Sequence, residues 1–198
     1  MRQLIEDFEA DILVLDARNF GTVIFDEFAK VLYDDERDVE YVPIKCMNDD
    51  HYASRCLNPN AIPMVYAFVG TTDRNDEMHK QMKSSLMTGK YKMLIPHAKC
   101  QEEYLNKHNE YRLGTPSEKG RYEQPYIRSD LTLNEMINLS QEFIGGGQDK
   151  IRLVEPSTGT KDSYISSAMG NYYISEKESE LTGEDTWNDY DGASFILY

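Results

Sequence analysis

The sequence predicts an α/β fold. Short apolar runs at 12–16 and 62–70 alternate with stretches of helical pattern, and 198 residues suffice for one domain with a real core. Residues 2–9 read as the end of a helix. DILVLD, residues 11–16, is an apolar run between acids, the pattern of a strand buried on both faces. Asn19 and Gly21 mark a turn, and a helix over about 22–33 follows, with Val23, Phe28, Val31 and Leu32 as its stripe. A short strand is expected over 40–44, and IPMVYAFVG, 62–70, is the next extended segment. Thr72 and Asp73 cap a helix that reaches Thr88 and closes on Gly89. YKMLIP reads as a strand stopped by proline and AKCQEEYLNKH as a helix, while 109–130, rich in Gly, Pro, Tyr and charge, reads as a loop or hairpin. A helix over 133–143 ends at glycines 145–147, 151–154 is a short strand, and SYISSAMGNYYISEK is a helix. The domain so described covers 1–180; residues 181–198 form an acidic, aromatic tail expected to be mobile.

Composition excludes several classes. No apolar run approaches the ~20 residues of a membrane span, and the first 16 residues carry acids where a secretory leader needs a basic start and an apolar run. Cys46, Cys56 and Cys100 cannot all pair and lack CxxC spacing, which reads as a reducing cytoplasm. With 35 acidic against 21 basic side chains the net charge of −14 argues against a polyanionic partner. The distribution reverses that argument, because 61–130 carries +2 and the flanking regions carry −8 each. Attraction to phosphate decays over about 10 Å at ordinary salt, so the local surface decides. Glycines 145–147 lack the spacing of a phosphate loop, and no GxSxG is present. Cys46, His51 and Cys56 lack a fourth ligand and the spacing of a zinc module; His97, after Pro96, is a candidate to face a site mouth, and its plain alternative is a surface histidine.

Two acids stand out. Asp16 ends an apolar strand, where open α/β sheets place their ligands; its plain alternative is a turn cap. Asp162 opens a helix with a small-residue face (Ser163, Ser166, Ser167, Gly170) that suggests close packing on the sheet; its plain alternative is an N-cap. Two such carboxylates, 146 residues apart, are candidates to share a hard divalent cation.

Three segments together resemble a known family. DILVLDARNFGTVIFDEF is similar to the second acidic motif of the nuclease domain of phage large terminase subunits, where an acid ends a central strand before a Gly turn. NDEMHKQMKSSLMTGKYKMLIP followed by EEYL resembles the family's order of helix, Gly turn, strand, Pro and acidic helix. KDSYISSAMGNYYIS resembles its last acidic motif, with Ser163 in place of an Arg and Gly170 in place of an Ala. The likeness runs in order from about residue 5 to 178. It implies an RNase H-like mixed sheet flanked by helices and a metal-dependent endonuclease that cuts concatemeric viral DNA in the cytoplasm of a bacterial host. Asp16 and Asp162 would be the second and third metal-binding, catalytic acids, Mg2+ or Mn2+ the cofactor, and two-metal phosphodiester hydrolysis the reaction. Lys161 would orient a phosphate, and Arg74, Lys80, Lys83 and Lys90 would contact the backbone of double-stranded DNA weakly and with strong salt dependence.

The family's first acid, on an earlier strand, and its ATPase domain have no counterpart in these 198 residues. The sheet is therefore expected to be incomplete on its N-terminal side, with the strand over 12–16 left as an apolar edge. Another polypeptide, or an upstream segment of an interrupted gene, would supply the rest, with the small terminase subunit and the portal as further partners. The competing expectation is a non-catalytic RNase H-like module that docks on the portal or on a packaging partner through the acids of its tail. A hydrolase of small phosphates ranks below both, for want of a phosphate motif.

Overall fold

The structure is a computed structural model and describes residues 2–18, 21–144 and 150–183. The expected turn at Asn19, glycines 145–147 and the tail acids Glu184, Asp185, Asp189 and Asp191 lie outside the described residues. The fold is mixed α/β, and the chain divides into two units, Met1–Asn75 and Asp76–Tyr198.

In the first unit, α1 (Arg2–Asp7) leads to β1 (Leu13–Asp16), α2 (Gly21–Phe28), β2 (Leu32–Asp34), β3 (Val39–Tyr41), β4 (Ile44–Cys46), α3 (Asp50–Ala53) and β5 (Ile62–Phe68). A three-stranded parallel sheet runs in the order β1-β5-β4, and β2 and β3 form an antiparallel hairpin. β5 is central: Val65, Tyr66, Ala67 and Phe68 are all buried. Leu15, Ala17, Phe25, Phe28, Ile44, Cys46, Val65 and Ala67 make one apolar core, with Tyr52 stacked on Phe25 at 4.5 Å. β1 pairs, among the described residues, only with β5; Leu15 is buried while Leu13 and Val14 are half-exposed, so this is an edge strand and not one buried on both faces.

The expected helix over 22–33 stops at Phe28, and the expected strand over 40–44 divides between β3 and β4. The buried Arg2 guanidinium explains the first difference. It donates to the carbonyls of Phe28 (2.6 Å), Lys30 (3.2 Å) and Val42, so the open carbonyls at the end of α2 find a side-chain donor and the chain leaves into the hairpin.

α4 (Thr72–Met87) begins at the end of the first unit, and most of it belongs to the second. It closes on Gly89, whose φ of +70° is the left-handed conformation a helix end favours glycine for. The second unit continues with α5 (His97–Glu103), a 3-10 turn (Leu105–Lys107), α6 (Asn109–Leu113), α7 (Pro116–Asn138), the antiparallel hairpin β6 (Ser140–Ile144) and β7 (Lys150–Val154), and α8 (Asp162–Thr182).

Three expectations fail here. YKMLIP is not a strand: Tyr91 N–H is taken by the Ser85 carbonyl and Leu94 N–H by Ser129 Oγ, and His97 N–H, just after it, by Asp130. Residues 109–130 are helical, not a loop or hairpin. Thr115 and Glu118 form a reciprocal capping box with Pro116 in the first turn, so a proline that reads as a breaker starts the 23-residue α7, which then tolerates Gly120 and Pro125. The helix expected over 133–143 is the end of α7 followed by β6.

The small-residue face of α8 is not closed down on neighbours at Gly170, where a Cβ would meet nothing within 4 Å among the described residues. Gly170→Ala should therefore stabilise the second unit by about 0.5–1 kcal/mol through helix propensity alone. Met82→Ala, which empties a fully buried position on α4, should cost about 2–5 kcal/mol. Urea unfolding of the two variants beside the wild type reads both values.

Candidate functional site

Asp16 is the last residue of β1 and is exposed. Its Oδ1 accepts the N–H of Arg18 at 2.9 Å, which turns the chain immediately after the strand. The strand itself is fixed from β5: Asp16 registers with Phe68, and Ala17 N–H donates to the Phe68 carbonyl at 3.0 Å. The carboxylate therefore stands at the carboxyl edge of a parallel sheet, held by main chain. Arg74 lies by the neighbouring strand end. Its guanidinium sits 5.4 Å from the Phe68 ring centroid and 5.9 Å from that of Tyr66, and it donates to the Tyr66 hydroxyl at 2.9 Å.

Asp162 belongs to the second unit, where it opens α8 and is exposed. Among the described residues its carboxylate has no hydrogen bond or ion pair, while its carbonyl accepts the Ser166 hydroxyl at 2.8 Å. It is not the N-cap. That position is Lys161, a side chain that cannot accept and that donates instead to the Leu153 carbonyl at 3.2 Å. The acceptor comes from α7: Glu135 takes the Tyr164 N–H (3.0 Å) and the Thr160 hydroxyl (3.0 Å). Burial pushes the Glu135 carboxyl up, but these bonds and those from Ser163 outweigh it and hold it below the usual carboxylate range.

A second anchor of α8 is a buried pair. His79 Nδ1 and the Tyr164 hydroxyl are 3.0 Å apart with their rings stacked at 5.6 Å. Burial, then the charge of Lys161, lowers the His79 pKa to about 4 against an opposing pull from Asp76, so the imidazole is neutral at pH 7. Burial also pushes the Tyr164 hydroxyl up. Asp76, one turn before His79, accepts the buried Ile151 N–H at 2.8 Å and pairs with Lys80 at 2.9 Å.

The remaining basic residues expected to contact phosphate are already engaged or shielded. Lys90 pairs with Glu178 at 2.7 Å, and Lys83 is half-buried, which lowers its pKa. Comparison with protein-family models, with curated proteins and with solved structures finds no match. Both acids offer carboxylate oxygen, the donor that hard Mg2+ or Mn2+ prefers. Among the described residues no three Asp, Glu, His or Cys side chains gather into a metal cluster, and each unit by itself contributes one of the two acids.

Other residues singled out from the sequence have structural partners. Cys46 is buried with its thiol 3.4 Å from Asn48 Oδ1, the Cys56 thiol lies 3.9 Å from the Ala29 carbonyl, and His51 is exposed on α3. His97 is a partly buried histidine 3.3 Å from Glu123, not a surface one. Sequence reasoning missed Glu135, His79 and Asp76. Only Glu135 left a signal, since a helix opening on Lys161 needs an acceptor from elsewhere.

The pH dependence of His79 follows from its lowered pKa. Unfolded, the imidazole takes up a proton near pH 6.5; folded, it does so only near pH 4. Its contribution is complete above about pH 6.5 and is lost as pH falls toward 4, by about 2 kcal/mol at pH 5. Urea unfolding at pH 7.5 and pH 5 should show wild type losing that much relative to His79→Gln, and equal losses would contradict the assignment.

Proposed function

We propose that the chain is part of the metal-dependent endonuclease of a viral DNA-packaging terminase. In this reading its α/β fold is an RNase H-like sheet that another segment completes on the side of β1. The observation that carries the reading is Asp16: an exposed carboxylate at the carboxyl end of an edge strand in an all-parallel sheet, positioned by main-chain pairing. The motif resemblance around 11–28, 75–105 and 161–175 and the Asp162 carboxylate, unpartnered among the described residues, support it further.

In this function Asp16 and Asp162 would each offer carboxylate oxygen to Mg2+ or Mn2+. The bound ion supplies Lewis-acid polarisation of the phosphate and lowers the pKa of water. The protein's own groups orient the substrate. Arg74, preorganised over Phe68 and Tyr66, presents a planar donor near the Asp16 edge, and Lys161, anchored by one bond to Leu153, keeps N–H donors for a phosphate oxygen. Because Lys80 and Lys90 already have carboxylate partners, grip on double-stranded DNA falls mainly to other parts of the motor: the ATPase segment, the small terminase subunit and the portal. This activity belongs in the cytoplasm of the bacterial host.

Asp16→Asn and Asp162→Asn should each lower Mn2+-dependent plasmid cleavage by at least about a hundredfold when the chain is joined to the segment bearing the remaining acid. Circular dichroism and the unfolding midpoint should stay within error. Retained cleavage in both variants would refute the assignment. Cleavage by residues 1–198 alone, as a cooperative monomer, would refute the need for a completing segment.

A further inference from the structure

We infer that Glu135 is the positioning residue for Asp162, capping α8 from α7 so that the backbone carrying the exposed Asp162 carboxylate is fixed on both sides. This rests on the reading of Asp162 as a metal-binding acid and deepens it.

The residues on either side of Asp162 are fastened to three different elements. Thr160 Oγ donates to Glu135 Oε1 and Tyr164 N–H to Glu135 Oε2, each at 3.0 Å, tying both flanks to α7. Ser163 donates to the same carboxylate. Lys161 is tied to the Leu153 carbonyl on β7, and the Tyr164 hydroxyl to His79 on α4. Within 160–164, Asp162 alone has its side chain uncommitted among the described residues.

Division of labour between the two acids follows from their oxygens. Glu135 is half-buried with both oxygens occupied by protein donors, so it has little left to offer a cation. Asp162 is exposed with both oxygens open. A carboxylate that spends itself on the backbone beside a ligand, and not on the ion, acts as an outer-shell support, and loss of such a support commonly weakens metal affinity ten- to a hundredfold. Lys161 at the cap position calls for such an arrangement, because the cap residue of α8 has no side-chain acceptor of its own.

The test uses the full chain and Mn2+ alone, followed by paramagnetic broadening of the Ser163 and Tyr164 amide signals. Wild type should broaden at low Mn2+, and Asp162→Asn should abolish the effect. Glu135→Ala should need about tenfold more Mn2+, while Glu135→Gln, whose amide oxygen still accepts the Tyr164 N–H, should stay within about threefold of wild type. Glu135→Ala broadening at the wild-type concentration, with Asp162→Asn still silent, would overturn the positioning role and leave the Asp162 reading standing. Asp162→Asn broadening like wild type would overturn both. Glu135→Gln as weak as Glu135→Ala would assign the effect to charge and overturn positioning. If Glu135→Ala does not fold, Thr160→Ala removes one bond and keeps the carboxylate: a several-fold weakening supports the role and no change overturns it.

Discussion

One turn of α4 organises the second unit. Asp76 takes the Ile151 N–H of β7 in a buried site, Glu77 accepts the Tyr172 hydroxyl at 3.2 Å, and His79 meets Tyr164. Three residues of this turn thus reach the hairpin and two separate turns of α8. Each bond buries a polar group that would be costly if left alone, so the elements have little freedom to slide past one another. The neutral imidazole belongs to the same logic: a charged His79 in this place would have to be desolvated beside Lys161.

The electrostatics have a similar inward bias. The +2 balance of residues 61–130 suggested a phosphate-binding surface, yet Arg74, Lys80 and Lys90 spend much of their charge on Phe68 and Tyr66, Asp76 and Glu178. Lys90 and Glu178 are exposed, so that pair contributes little to stability and opens at small cost. Lys80 is different, since the Asp76 it pairs with is nearly buried and also holds the hairpin. Regional charge counts from a sequence register neither distinction.

What the sequence made legible was whatever local rules determine. β5 and α8 are found close to where their patterns place them, and α4 ends on the expected Gly89 because apolar runs and left-handed glycines are local signals. α7 was misread because Pro116 and Pro125 have opposite meanings by position: the first starts a helix, and the second is absorbed within one. The stretch 91–96 has strand composition, but Ser129 claims its Leu94 amide and Asp130 the His97 amide just beyond it, each from more than thirty residues on. Asp16 and Asp162 were visible as acids at element ends. The support beneath Asp162 was not, because Glu135 lies 27 residues earlier and reaches the flanks of Asp162 only once α7 packs on α8.

Among the described residues β1 carries strand hydrogen bonds on a single flank, and this has a signature in solvent exchange. On a strand paired from one side, alternate amides point toward the partner and the others away. Deuterium should therefore enter β1 in an every-other-residue pattern, while β5, bonded to β1 and β4, protects both sets. A strand seated on the open flank would erase the alternation, so the exchange rates of four residues, Leu13–Asp16, report whether the edge that ends in Asp16 is covered.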